Sequence, residues 1–223
     1  MTIDVDVVIP VRDVDTYLGE ALDCALDQGV EVAVWVVDAG SSTPIRLPQR
    51  HAARPEVRLI RSEEPLLAGS GRSLGVAAGT APWISFLDAD DQWPSGSRRG
   101  MVDAGERAGA DVVVGTMTHF HADAAAAARL RLPQGEQRAI IAGGLTFRRS
   151  VWDRVGAFDP TLRAGEFIDW FNRIAHAGIP VLDIAEPVLR RRVHLASTTA
   201  TQARSEGRED YLEVVRRWMH RND

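Results

Sequence analysis

The sequence predicts an α/β protein, a three-layer sandwich in which helices cover both faces of a mostly parallel central sheet. Three observations predict it. Short apolar runs with the character of buried strands recur at 5–10, 32–37, 57–60, 83–87 and 111–115. Amphipathic helical segments separate most of them, which implies parallel strands joined by crossovers. Acid-bearing turns follow two of the runs directly, at 38–42 and 88–91. In open α/β sheets that rim is where ligands bind.

The elements follow in order. The first run ends at Pro10. Val14, Tyr17, Leu18, Ala21, Leu22 and Ala25 recur at helical spacing, so 14–28 reads as an amphipathic helix. The second run ends in Asp38-Ala39-Gly40-Ser41-Ser42. After the third comes a helix over 69–79, with Leu74, Ala77 and Ala78 facing inward. A further helix over 95–109 separates the fourth and fifth runs. The pattern then changes. Residues 116–140 are alanine-rich, contain Pro133-Gln134-Gly135 and show no clear period, so they read as a variable excursion. Residues 143–147 read as a short strand. Phe167, Trp170, Phe171 and Ile174 form one stripe of a helix over 166–177. Residues 188–194 read as extended. Tyr211, Leu212, Val214, Val215, Trp218 and Met219 mark a last helix within 205–221. With no internal repeat or long linker, residues 1–223 read as a single domain.

Composition narrows the function. A hydrophobic share of 45% supports a sizeable core and argues against global disorder. A net charge of -5 disfavours a general nucleic-acid binder. No run of about 18 apolar residues is present, so no integral membrane segment is expected. The N-terminus lacks a basic-then-apolar leader pattern. The single Cys24 allows neither an internal disulfide nor a thiolate zinc cluster. These features point to the cytoplasm. All 26 basic residues are arginine. That excludes a Walker-type phosphate lysine and a lysine Schiff base. Phosphate here must be met by arginine, backbone amides or a metal.

The most informative stretch is Phe86-Leu87-Asp88-Ala89-Asp90-Asp91. Carboxylates clustered at a strand end repel one another unless a cation joins them. Oxygen ligands suit Mg2+ or Mn2+, and such a cation commonly carries a phosphate substrate too. The bland alternative is an acidic turn with Asp91 capping the next helix. Gly69, Gly71 and Gly75 invite a dinucleotide reading, but position 74 is leucine where the fingerprint needs glycine, and that site is rejected. In an extended segment, alternation places Arg190, Arg192 and His194 on one face, which suits a diphosphate or a metal-diphosphate complex. A solvated basic edge strand is the alternative. His119 and His121 receive no role.

The order of these pieces resembles the GT-A (Rossmann-like) glycosyltransferases, specifically family 2, from about residue 5 to about residue 199. The opening Val-Val-Ile-Pro-Val-Arg-Asp resembles the family's first strand and nucleotide loop. Val37-Asp38-Ala39-Gly40-Ser41-Ser42 resembles its Asp-Asp-Gly-Ser turn, with alanine at the second acid. Gly71-Arg72-Ser73-Leu74-Gly75 resembles its Ala-Arg-Asn-x-Gly helix start. Residues 86–91 match its metal motif. Arg148-Arg149 and Val155-Gly156-Ala157-Phe158-Asp159 match the segment before its catalytic helix, and Arg192-Val193-His194 resembles its late Arg-x-His.

The resemblance implies a nucleotide-binding half over about 1–115 and an acceptor-binding, catalytic half over about 116–200. It implies donor contacts from Pro10, Val11, Asp13, Asp38, Arg72, Asp88, Gly143 and Arg192. Asp38 would meet the base, typically uracil, and Asp88 the ribose. Asp90, with His194, would hold Mn2+ or Mg2+ against the donor phosphates. On local chemistry alone, Asp38 is equally a turn residue, Asp13 equally a helix cap, and Arg72 equally a solvated cation. Inverting transfer needs a carboxylate to take the acceptor's proton. The family supplies the Asp of a Glu-Asp pair, and here the matching residues are Glu166 and Phe167. Asp169 and Glu166 remain as candidates, three apart on one helix face, with Asp169 placed first.

The expected function is a metal-dependent, inverting glycosyltransferase. It would use a nucleotide-diphosphate sugar, with UDP favoured, and an acceptor hydroxyl on a glycan, lipid, metabolite or peptide. The Phe167 departure admits a catalytically silent nucleotide-sugar-binding protein that supports a partner. A sugar nucleotidyltransferase ranks last, because Val11-Arg12-Asp13 supplies no glycine-rich basic loop.

Overall fold

The computed structural model describes residues 2–195. In chain order they form β1 (Val5–Val11), α1 (Leu18–Leu26), β2 (Val32–Asp38), α2 (Gln49–Ala52), β3 (Val57–Arg61) and α3 (Ala68–Ala78). Then come β4 (Trp83–Phe86), α4 (Ser97–Ala108), β5 (Val112–His121), α5 (Ala124–Arg129) and β6 (Gln137–Arg138). A 3-10 turn (Ala142–Gly144), β7 (Leu145–Arg148), α6 (Arg149–Val155), α7 (Glu166–His176) and β8 (Val181–Val193) complete them. The helix expected within 205–221 lies outside the described residues.

The strands make one sheet in the order β3-β2-β1-β4-β7-β5-β6, with β8 also on β5. β3, β2, β1 and β4 are parallel, β7 runs against both β4 and β5, and β8 is parallel to β5. The sheet is therefore mixed but mostly parallel. Chain order reverses at β1, with β2 on one side and β4 on the other. Such a switch point opens a crevice at the carboxyl ends of the strands.

One core cluster joins α1 and α4 to the sheet through Leu18, Leu22, Trp93 and Met101. The other joins α6 and α7 through Val151, Phe158, Phe167, Trp170 and Ile174. Two buried polar groups pin the layers. Asp6, inside the first apolar run, is 1% exposed. It accepts from Trp35 Nε1 (2.8 Å), Ala81 N (2.7 Å) and Arg149 Nη2 (2.6 Å), so its charge is met on several sides. Arg98 lies fully buried over the Trp93 ring and donates to the carbonyl of Val188 at 2.7 Å.

Several boundaries differ from the sequence expectation. The first helix starts at Leu18 rather than 14, with Tyr17 at its N-cap, so Asp13 is not its cap. β5 continues to His121, into what reads as an excursion, because β8 pairs with it out to Val193. α5, β6, α2 and α6 are additional elements, all short. Among the described residues, no helix is long and apolar enough to cross a membrane.

Candidate active site

A cleft of about 580 Å3 opens at the carboxyl ends of β1, β2 and β4. The loop after β1 supplies Pro10, Val11 and Asp13, and Ala39 follows β2. Leu66, Leu67 and Arg72 come from the entry to α3, and Asp88 and Asp90 follow β4. Arg191, Arg192 and His194 close it from the end of β8.

The nucleotide-side loops hold each other. Asp13 stands at φ 60°, a left-handed conformation that aspartate tolerates. Its amide donates to Ser41 Oγ at 2.9 Å, and its Oδ1 accepts from Ser42 N (2.8 Å) and Ser42 Oγ (2.9 Å). These donors from Ser42 hold its carboxyl below the ordinary aspartate range. Asp38 is 1% exposed. It accepts from the amides of Ser41 (2.9 Å) and Ile45 (3.1 Å) and pairs with Arg61. Burial opposes its charge, but these partners outweigh it and keep the carboxyl below its usual range. Both Asp38 oxygens are thus engaged inside the protein, where they shape the turn beneath the cleft. At Gly40 (φ 78°) a Cβ would lie 2.6 Å from Pro65 Cα, so the turn needs glycine.

Arg72 is the junction of the site. It is 6% exposed. Its Nη2 donates to Asp88 Oδ1 at 2.6 Å and its Nη1 to Glu166 Oε1 at 2.9 Å. Burial opposes this cation, yet the two carboxylates more than offset the cost. The first acid of the Asp-x-Asp pair is therefore tied to the first residue of α7 through one guanidinium.

The opposite wall carries Asp90 and His194. His194 Nε2 meets Asp90 Oδ2 at 2.9 Å, and both side chains remain partly exposed. Asp91 instead turns inward, 3% exposed, and accepts the Arg192 amide at 2.8 Å. Burial, reinforced by Asp88 and Asp90, pushes its carboxyl well above the ordinary range. Arg190 and Arg192 both lie over Phe120, and Tyr17 packs against Arg192 and His194. Arg192 and His194 line the cleft, whereas Arg190 does not, and Arg191 lines it from the alternate position.

The structure brings together Pro10, Val11, Asp13, Arg72, Asp88, Asp90, Arg192 and His194. It does not bring Gly143 to the cleft. That residue is buried, and its carbonyl accepts from Trp93 Nε1 at 3.0 Å. Asp169 also points elsewhere, to Arg173 Nε at 3.1 Å. Arg173 in turn donates to the carbonyls of Val155 (2.6 Å) and Ala157 (2.8 Å), so Asp169 fastens the loop before α7. Phe167 is buried among Trp170 and Phe171, which accounts for an apolar residue at that position. Sequence reasoning missed Tyr17, Leu66, Leu67, Arg163 and Arg191, which line the cleft. Tyr17 read as part of a helix stripe, and the others carried no local signal.

An Asp-rich rim, a carboxylate-imidazole pair and arginines thus line one cleft at the switch point of an α/β sheet. The family model for glycosyl transferase family 2 matches residues 6–161, and the chain belongs to that family. The match contains Asp88 and Asp90 but stops before α7 and β8. The succinoglycan biosynthesis protein ExoO of Rhizobium meliloti (strain 1021) is 30% identical over 181 residues, covering 72% of this chain and 52% of ExoO. The chain thus spans about half the length of that relative. Residues 1–349 of S. aureus TarS in complex with UDP-GlcNAc superpose with a TM-score of 0.75 at 14% identity, covering 97% of this chain and 65% of that one. The same fragment with UDP gives 0.71 at 16% identity, covering 96% and 64%. That likeness shows the GT-A type of α/β fold.

Proposed function

We propose that this chain transfers a sugar from a nucleoside-diphosphate sugar, with uridine as base, to an acceptor hydroxyl, with inversion and with Mn2+ or Mg2+. The observation that carries the reading is the cleft in which Asp88 and Asp90 follow β4 and face Arg72, Arg192 and His194. The lone Cys24 is compatible with a cytoplasmic setting. The UDP-GlcNAc complex of TarS supports a uridine donor by analogy of fold.

In this reading the base and ribose lie against Pro10, Val11, Asp13 and Ala39. Asp38 acts by shaping the turn, and Asp88 faces the ribose. Asp90 Oδ2 and His194 Nε2 fit a hard or borderline cation, since both are partly exposed on one wall. Among the described residues no third His, Cys, Asp or Glu joins them in a cluster. Such a cation therefore takes its remaining ligands from substrate oxygens and water, as Mg2+ commonly does. When bound, it neutralises charge on the departing diphosphate.

Glu166 is the better base. Its carboxylate contacts Arg72, which lines the cleft, whereas Asp169 is tied to Arg173. Glu166 would accept the proton of the acceptor hydroxyl as that oxygen bonds the anomeric carbon. The bond from that carbon to the diphosphate oxygen breaks, and its electron pair leaves with the diphosphate.

A silent donor-binding role has one observation in its favour: both α7 acids are engaged by arginines. Assaying nucleoside-diphosphate release over a panel of donors and acceptors with Mn2+ separates the readings. Release with an inverted product supports transfer. Donor binding by calorimetry without release supports the silent role. Neither binding nor release across the panel would sink both.

A further inference from the structure

Glu20 sits in the first turn of α1, half-exposed and outside every motif in the sequence. Its Oε2 accepts from Arg192 Nη2 at 2.5 Å and from Gln92 Nε2 at 2.8 Å. Those two donors belong to the two segments that must meet to pair Asp90 with His194. Gln92 follows the acidic loop directly, and Arg192 lies two residues before His194.

The same junction is stitched by five further hydrogen bonds. Arg192 Nε donates to the Asp90 carbonyl at 2.8 Å, and the Arg192 amide donates to Asp91 Oδ1 at 2.8 Å. The backbones of Gln92 and Arg190 exchange hydrogen bonds at 3.1 and 2.8 Å. Arg190 Nη1 donates to Gln92 Oε1 at 3.0 Å. The Arg192 guanidinium is held 4.1 Å from the Tyr17 ring centroid and 4.7 Å from that of Phe120, with its side chain 5% exposed. A cation packed this way and hydrogen-bonded at two nitrogens is committed to the protein. Its charge is balanced by Glu20.

We infer that Glu20 and Arg192 form a positioning clasp that locks the 88–92 loop to the end of β8, so that Asp90 and His194 face each other across the cation site. This rests on the transferase reading for its ligand but not for its geometry. Glu20 lies outside the cleft lining, and Arg192, though part of the wall, is 5% exposed with its guanidinium engaged within the protein, so neither is assigned a contact with the donor. Both act by orienting groups that are, and the outer partners of metal ligands govern affinity in this way.

Variants Glu20→Ala, Glu20→Gln, Arg192→Ala and the double alanine variant test it, by calorimetry with UDP in Mn2+ or in chelator and by hydrogen exchange without nucleotide. Glu20→Ala is expected to weaken UDP binding about tenfold in Mn2+ and to leave binding in chelator unchanged. Glu20→Gln keeps an acceptor oxygen and should recover part of the loss. The double variant should lose little more than either single one, as coupled partners do. Amide exchange at Gln92, Arg190 and Arg192 should rise in Glu20→Ala with the rest of the sheet unaffected. Equal loss for Arg192→Ala with and without metal would make Arg192 a direct phosphate ligand and overturn the inference. So would additive losses, or unchanged exchange at those three amides. Should the wild type bind no UDP, the transferase reading fails while the exchange measurement still decides the clasp.

Discussion

Glu166 and Asp169 stand three residues apart on one helix, and their neighbours give them different work. Glu166 does not itself line the cleft but is paired with Arg72, which does, whereas Asp169 is bound by the arginine that anchors the preceding loop. We expect Glu166→Gln to lower kcat by roughly 10²-fold or more with the fold intact, as loss of a general base does. Asp169→Asn should lower kcat less than about tenfold and cost about 1–2 kcal/mol of stability through its partly buried ion pair. A larger kcat loss for Asp169→Asn than for Glu166→Gln would return the base to Asp169. Asp91 gives a test by pH. Its carboxyl is raised in the folded chain, chiefly by burial, so the unfolded chain releases this proton first as pH rises. The folded state then holds more protons, and stability falls as pH climbs from the ordinary aspartate range through the raised value. Asparagine at this position keeps an acceptor for the Arg192 amide and has no proton to lose. In chelator, the melting temperature of Asp91→Asn should therefore exceed that of the wild type by more at pH 8 than at pH 5. A gap that shrinks with pH would refute the assignment.

At the scale of elements, α3 decides where Arg72 stands. The helix lies so close to the sheet at Gly75 that a Cβ there would run into the Val8 side chain and sit 3.1 Å from Val37 Cγ2. We expect Gly75→Ala to destabilise the protein by about 1–3 kcal/mol through overpacking. It should also weaken donor binding, because Arg72 lies one turn earlier on the same helix. A variant as stable as the wild type would mean that α3 can lift freely. These packing distances also show what the sequence could reveal. The buried strands were legible as continuous apolar runs and α7 by its apolar stripe. α3 was legible in extent but not in orientation: Leu74, Ala77 and Ala78 read as its inner face, yet Ala77 is exposed and Gly71, Gly75 and Val76 are buried, because the helix approaches the sheet through its glycines. The start of α1 was not legible. Val14 continues the helical spacing but is 52% exposed and lines the cleft, while Asp13 is held by the 41–42 turn. The length of β5 was hidden because its partner strand β8 lies some 70 residues further along the chain. The sequence pattern singled out the Asp-x-Asp pair and His194, which the fold sets together in the cleft. It did not single out Glu20, since an acid in a helix's first turn reads as a dipole partner until the fold sets it beside Arg192.

At the scale of the whole molecule, the cleft is assembled from segments far apart in sequence: 10–17, 39, 66–72, 88–91, 163 and 191–194. A ligand filling it touches loops that follow β1, β2, β4 and β8, and so bridges nearly the full width of the sheet. Unfolding must separate those segments, so occupancy should stabilise the entire domain rather than one loop. The linkage is direct: at a ligand concentration 100 times the dissociation constant, the folded state gains about 2.7 kcal/mol. For a domain of this size each kcal/mol moves the melting temperature by about 2–4 °C. UDP with Mn2+ should thus raise it by roughly 5–10 °C in a single transition. The two ligands should act together, because Asp90 and His194 would supply two of a cation's ligands and the nucleotide's phosphates would supply others. Either ligand alone is expected to give a small fraction of the shift, and chelator should abolish the excess. Replacing Asp90 with asparagine should remove the Mn2+-dependent part while leaving the part due to UDP alone. If UDP alone produced the full shift, or if Asp90→Asn retained the metal's contribution, the cation would have no place on this wall, and the diphosphate would have to be held by the arginines alone.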